Sequence, residues 1–151
     1  MSDTPADFFA SVKERMSQTA FFTGIGAEML GGENGKMRVR LPYGPHLVGD
    51  PDTGVVHGGV ITGLLDHACG MAVGAALREH RPFATLDLRI DYMKAAKPHE
   101  DIFVEAECLK ITHEIAFARG IAYQESREAP IAIATGNFMM TSTPFPQKQE
   151  G

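Results

Sequence analysis

The feature that most constrains this chain is the run from Gly58 to Leu77, which is apolar, rich in small residues and interrupted by a single acid, Asp66. As a helix of about 20 residues it spans roughly 30 Å. Five of its residues are glycine, and each costs about 1 kcal/mol relative to alanine in a helix interior. Close packing has to offset that cost. Gly59, Gly63, Ala68, Gly70, Ala72 and Gly74 all allow a neighbouring backbone to come near. The spacing predicts a helix wrapped on most sides by the rest of the chain. A membrane span over Val55–Leu77 is the competing reading. A carboxylate at the bilayer centre costs about 3 kcal/mol, and Gly and Ala stand where a span carries Leu and Phe. No membrane partner is expected.

The wrapping material lies downstream and has a period of two. Over 85–92, Leu86, Leu88, Ile90 and Tyr92 are expected on one face, with Thr85, Asp87, Arg89 and Asp91 on the other. Alternation recurs over 102–109, 115–123 and 131–140, with turn residues between. Upstream, Phe8, Phe9, Val12 and Met16 recur at helical spacing, which predicts a short helix over 3–16 capped by Asp3 or Thr4. A hairpin is expected from 25–30 and 36–41 around Gly31–Gly35, where Asn34-Gly35 is a strong turn signal. A loop follows over 42–54. Strands of about 9–11 residues match the helix in length. The expected fold is therefore α+β: a long antiparallel sheet curled around one central helix, with a short N-terminal helix.

A chain of 151 residues, 44% hydrophobic, suits one domain over 1–151, with the N-terminal helix filling about 1–20 and a loose tail at 143–151. The net charge of −5 argues against a nucleic-acid partner. The first residues lack the basic start and apolar core of a signal peptide, so a cytoplasmic protein is expected. Cys69 and Cys108 sit in apolar runs, as free buried thiols do. The six histidines show no ligand spacing, and no metal is expected. Neither a Gly-x-Ser-x-Gly elbow nor a dinucleotide fingerprint occurs.

Chemistry concentrates at the start of the long helix. His57-Gly58-Gly59 leads into a helix N-terminus, whose free N–H groups and partial positive charge suit an anion or a polarised carbonyl oxygen. Asp66, among apolar neighbours, needs either a partner or a task. From Gly58 to Asp66 the rise is about 12 Å at 1.5 Å per residue. A reacting carbonyl needs its donor and its nucleophile both about 3 Å away. One helix cannot supply both. Two helices related by a twofold axis can, so a shared site in an obligate dimer is expected.

The run Gly54-Val-Val-His57-Gly58-Gly59-Val-Ile-Thr-Gly-Leu-Leu-Asp66, with the small-residue helix and the strands behind it, resembles the hotdog-fold acyl-CoA thioesterases, within them the phenylacetyl-CoA-thioesterase-like branch. The likeness covers about two-thirds of the chain or more. It implies hydrolysis of an acyl-CoA carrying an aryl or medium-chain acyl group. Gly58 would be the oxyanion donor and Asp66 the nucleophile or general base, while His57 helps to place the carbonyl and Thr85 holds the water or the carboxylate. Gly59 and Asp50 would lie at the substrate, Asp50 standing where relatives carry an asparagine. Lys94 and Lys97 are candidates for the coenzyme A phosphates; Thr112-His113 departs from the Gly-basic turn of some relatives. No cofactor is implied beyond the substrate's own coenzyme A. A homodimer or a homotetramer of paired dimers is implied. A hotdog enoyl-CoA hydratase or dehydratase and a non-catalytic acyl-CoA-binding protein are the alternatives.

Overall fold

A computed structural model describes residues 4–77 and 79–141. Helix α1 (Pro5–Ser17) opens the chain. Thr4 is its cap: the hydroxyl accepts from the Asp7 N–H, and the Asp7 carboxylate reaches back to the Thr4 N–H at 3.1 Å. Phe8 and Val12 bury the inner face of α1, as their spacing predicts. A five-residue helix α2 (Ala20–Gly24), capped by Thr19, follows where no element was expected. Strands β1 (Glu28–Glu33) and β2 (Lys36–Leu41) form the predicted hairpin with a tighter turn than expected. Gly31, Gly32 and Glu33 belong to β1, and only Asn34 and Gly35 turn the chain, with φ of 51° and 74°. Positive φ at both positions is what a two-residue hairpin turn matching strand twist requires.

The loop over 42–54 is less irregular than its composition suggests. It holds a 3-10 turn (Pro45–Leu47) and a small ribbon of β3 (Val48–Asp50) against β4 (Val55–Val56). Helix α3 spans Gly58–Leu77, the predicted bounds. Four long strands complete the described chain: β5 (Phe83–Tyr92), β6 (Ile102–Ile111), β7 (Ile115–Tyr123) and β8 (Ala132–Met140). The sheet is antiparallel throughout, in the order β1-β2-β6-β7-β8-β5. The expected loose tail over 143–151 lies outside the described residues.

The sheet packs around α3. Ile61, Leu64, Leu65, Ala68, Cys69 and Met71 are fully or almost fully buried against it. Strand β7 turns its small face inward, with Ala116, Ala118 and Ala122 buried. A Cβ on Gly120 would stand 3.0 Å from Leu65 and 3.1 Å from the Cys69 sulfur, so the glycine sets how closely helix and sheet meet. Alpha-3 is the one described helix long and apolar enough to cross a membrane, and 56% of its most apolar window is buried within the protein. It is the core helix of the fold. Both cysteines are free thiols; Cys69 is buried and Cys108 half-buried.

Strand β5 departs from the predicted alternation. Thr85 pairs with Phe138 and Asp87 with Asn137, leaving Leu86 unopposed in a bulge. Residues before and after the bulge therefore present opposite parities to the helix. Phe83 and Thr85 face inward on one side of it, and Leu88, Ile90 and Tyr92 on the other, opposite the inward residues of β8. Leu86, expected inside, is 57% exposed. Thr85, expected outside, points at α3. Arg89 and Asp91 keep their expected outward face and pair at 3.2 Å.

Candidate active site

The two ends of β5 each touch α3, at different levels. At its start, the Thr85 hydroxyl donates to Asp66 Oδ1 at 2.8 Å. The bulge at Leu86 makes this contact, because unbroken alternation would aim Thr85 away from the helix. Asp66 Oδ2 takes no hydrogen bond from the described residues. Asp66 is partly exposed.

The other end of β5 meets the helix N-terminus. Tyr92 donates its hydroxyl to the Gly58 carbonyl at 2.9 Å, and the Thr62 hydroxyl reaches the same carbonyl at 3.2 Å and touches the Tyr92 hydroxyl. The His57 backbone N–H donates to Leu47 O at 2.8 Å, which fixes the entry into the helix. The imidazole folds back so that Nδ1 accepts the Gly59 N–H at 2.8 Å. A backbone N–H can only donate, so Nδ1 is the acceptor and the proton of the neutral ring sits on Nε2.

The two glycines serve different needs. A Cβ on Gly59 would stand 2.9 Å from His57 Nδ1, so any side chain there displaces the ring. A Cβ on Gly58 would meet nothing nearer than Tyr92 at 4.0 Å. The chain itself leaves space at Gly58. Its N–H, in the first turn, has no intrahelical acceptor and no partner among the described residues. The same arrangement explains Gly49, whose Cβ would lie 2.8 Å from the His57 Cα.

The structure thus assembles the expected residues into two groups: Asp66 with Thr85, and His57 with Gly58 and Gly59. By helix rise they stand roughly 12 Å apart, as expected of one helix. Lys94 lines a shallow groove of about 350 Å³ with Gly58, Ile61 and Tyr92. Lys97 is committed elsewhere: its ammonium pairs with Glu125, which raises its pKa, and its N–H donates to Gln124 at 2.8 Å. Asp50 organises its own loop, accepting from the Thr53 hydroxyl at 2.8 Å and the Asp52 N–H at 3.0 Å; the Thr53 bond chiefly holds its carboxyl below the usual range. His67 is structural as expected, with Nε2 on Met16 O at 3.0 Å and its ring against Phe22, and burial lowers its pKa. No group of three or more metal-ligating side chains occurs among the described residues.

Sequence reasoning passed over Tyr92 and Thr62. Tyr92 ends an alternating strand and reads as one more inward apolar residue. Thr62 lies four residues after Gly58 on the same helix face, and that spacing was the available signal.

Comparison with known proteins gives the chain a family. The model of the Thioesterase superfamily matches residues 53–131, more than half of the chain and including both groups. The Escherichia coli protein named medium/long-chain acyl-CoA thioesterase YigI is 29% identical over 109 residues, 64% of this chain and 69% of its own. A Pseudomonas aeruginosa protein of solved structure is 38% identical, with a TM-score of 0.78 over 87% of this chain and 98% of that one. The E. coli PaaI protein from the phenylacetic acid degradation operon shares the fold at only 12% identity, with a TM-score of 0.80 over 92% of this chain and 97% of its own. With a match over its central helix and the three strands that follow, and with the sheet-around-helix plan of its structural relatives, the chain belongs to the Thioesterase superfamily, as a thioester hydrolase of the hotdog fold.

Proposed function

We propose that the chain hydrolyses acyl-CoA thioesters bearing an aryl or medium-chain acyl group, at a site completed by a second copy of itself. The observation that carries this reading is the division of the site. Among the described residues the Gly58 N–H has no partner and open space beside it, and one Asp66 carboxylate oxygen has no donor. The two stand about 12 Å apart on one helix, too far to share one carbonyl. The sheet supports pairing, because β5 is an edge strand whose backbone has one side unpaired. The E. coli relative's name supports the substrate class.

In this reading the thioester carbonyl oxygen accepts the Gly58 N–H of one subunit, which stabilises the charge that develops on it. Asp66 of the other subunit takes a proton from water as the water oxygen attacks the carbonyl carbon, or attacks that carbon itself to form an anhydride that water then opens. Either route breaks the C–S bond and releases the coenzyme A thiol and the free acid. Thr85 holds the Asp66 carboxylate in line, and His57 presents its Nε2–H beside the carbonyl. Lys94, in the groove at Gly58, is better placed than Lys97 for a coenzyme A phosphate, since Lys97 is held by Glu125. Gly59 contributes by admitting the His57 ring, and Asp50 by shaping the loop that precedes it. The working unit is a homodimer, or a tetramer of paired dimers, of one-domain subunits in the cytoplasm, with no cofactor.

The test is subunit complementation. Asp66→Asn and Gly58→Val chains, each inactive alone, are denatured, mixed and refolded together. A mixed dimer has one intact composite site, so random pairing should restore about a quarter of wild-type thiol release. No recovery in a mixture shown to contain mixed dimers counts against a shared site.

A further inference from the structure

Resting on the roles proposed for His57 and Gly58, we propose that Tyr92 is a positioning residue that sets the proton form of His57 through the peptide between Gly58 and Gly59. Three observations form one chain. The Tyr92 hydroxyl donates to the Gly58 carbonyl oxygen at 2.9 Å. That carbonyl and the Gly59 N–H belong to the same peptide plane. The Gly59 N–H donates to His57 Nδ1 at 2.8 Å. A donor on the carbonyl polarises the peptide and makes its N–H a stronger donor. The effect arrives at Nδ1 and keeps the proton of the neutral imidazole on Nε2, the nitrogen free to face a substrate.

The surroundings fit a relay better than a packing role. Tyr92 is 51% exposed, so its ring contributes little to the core, yet its hydroxyl is committed to a helix backbone atom. The Thr62 hydroxyl contacts both the Tyr92 hydroxyl and the Gly58 carbonyl and steers the phenol toward that acceptor. Phenylalanine would fill the same space and take the shorter of the two hydroxyl donors away from the peptide, leaving that of Thr62 at 3.2 Å. The glycine at 59 belongs to the same device, because a Cβ there would stand 2.9 Å from Nδ1 and part the ring from the amide.

The experiment compares wild type with Tyr92→Phe by two readouts. The first is the tautomer of His57 in the neutral ring, from ring nitrogen chemical shifts assigned by their loss in His57→Asn. The second is kcat and KM for thiol release from an acyl-CoA. The expected result is a wild-type ring held on the Gly59 amide and protonated on Nε2, and a Tyr92→Phe ring that the weakened Gly59 donor releases, so that the Nδ1-protonated tautomer becomes detectable. Its kcat should fall roughly tenfold while KM stays within about twofold. A merely structural tyrosine would lower the melting temperature and move neither readout. Either readout remaining at its wild-type value overturns the proposal. If Tyr92→Phe does not fold, Thr62→Val, which strips the other hydroxyl from the same carbonyl, is held to the same two readouts. Wild-type protein that releases no thiol from any acyl-CoA would sink the hydrolase reading instead, and the tautomer alone would then decide the relay.

Discussion

The two groups along α3 are held by opposite means. The Asp66 group is side-chain chemistry: a partly exposed carboxylate, gripped by one hydroxyl that a bulge has turned inward. The Gly58 group is backbone chemistry: a helix start kept clear of side chains, with a histidine folded onto the next amide. The first is vulnerable to loss of a functional group and the second to added volume. In the proposed mechanism the difference also divides the labour of hydrolysis. A developing oxyanion needs a fixed dipole with empty space before it, whereas activating a nucleophile needs a charge that is held but not neutralised.

The largest effect should come from taking the charge out of the first group. Asp66→Asn keeps the shape and still accepts from Thr85, but it can neither attack nor take a proton. Thiol release should fall about a thousandfold, with His57 and the Gly58 amide undisturbed. Equal rates in mutant and wild type would remove Asp66 from the chemistry. Volume is the corresponding probe of the second group. The Gly58→Ala methyl meets nothing of its own chain nearer than Tyr92 at 4.0 Å, so the unfolding free energy should stay within about 0.5 kcal/mol of wild type. Its kcat/KM should nevertheless drop roughly a hundredfold, because the methyl occupies the space a thioester carbonyl needs. A Gly58→Ala enzyme of full activity would break the contrast between the two groups.

A smaller effect separates holding from reacting. Thr85→Val deletes the hydroxyl that fixes Asp66 and should cost about tenfold in kcat. Thr85→Ser keeps the donor and should stay within about threefold. Steady-state kinetics on one acyl-CoA decide it. Equal losses in Val and Ser would mean that the methyl group, rather than the hydrogen bond, matters.

These variants also mark what the sequence could disclose. The bounds of α3 were legible because small residues, an acid and a Gly-Gly start leave few other structures. The four long strands were legible from their period, and the separation of Gly58 from Asp66 from helix rise alone. The bulge was not. Thr85-Leu86-Asp87 alternates as cleanly as any strand, and only the register forced by β8 shows that Leu86 is extra. Thr85 was therefore singled out through family likeness, while its periodicity placed it on the wrong face. Helix α2 and the β3–β4 ribbon were hidden for a different reason. Elements of five residues or fewer carry too little periodicity to register, and their form depends on what they pack against. The link from Tyr92 to Gly58 joins residues 34 apart and leaves no local trace.

The effect most remote from catalysis sharpens the comparison from inside the core. Cys69 lies one turn beyond Asp66, and burial first, then the Asp66 charge, pushes its thiol from 9.0 up to about 12. A folded value above the unfolded one means that the folded state holds a proton the unfolded state has released. The stability tied to this thiol is fully present below about pH 9 and is lost as pH rises toward 12. Urea unfolding across that window should show wild type losing stability relative to Cys69→Ala, by something on the order of a few kcal/mol at the alkaline end. In an Asp66→Asn background the charge contribution disappears, and the window should narrow from its upper side. Gly58→Ala, remote from the thiol, should leave the window unchanged. If both substitutions narrow it equally, the two groups are coupled through the helix, and they are not the separate halves that their geometry describes.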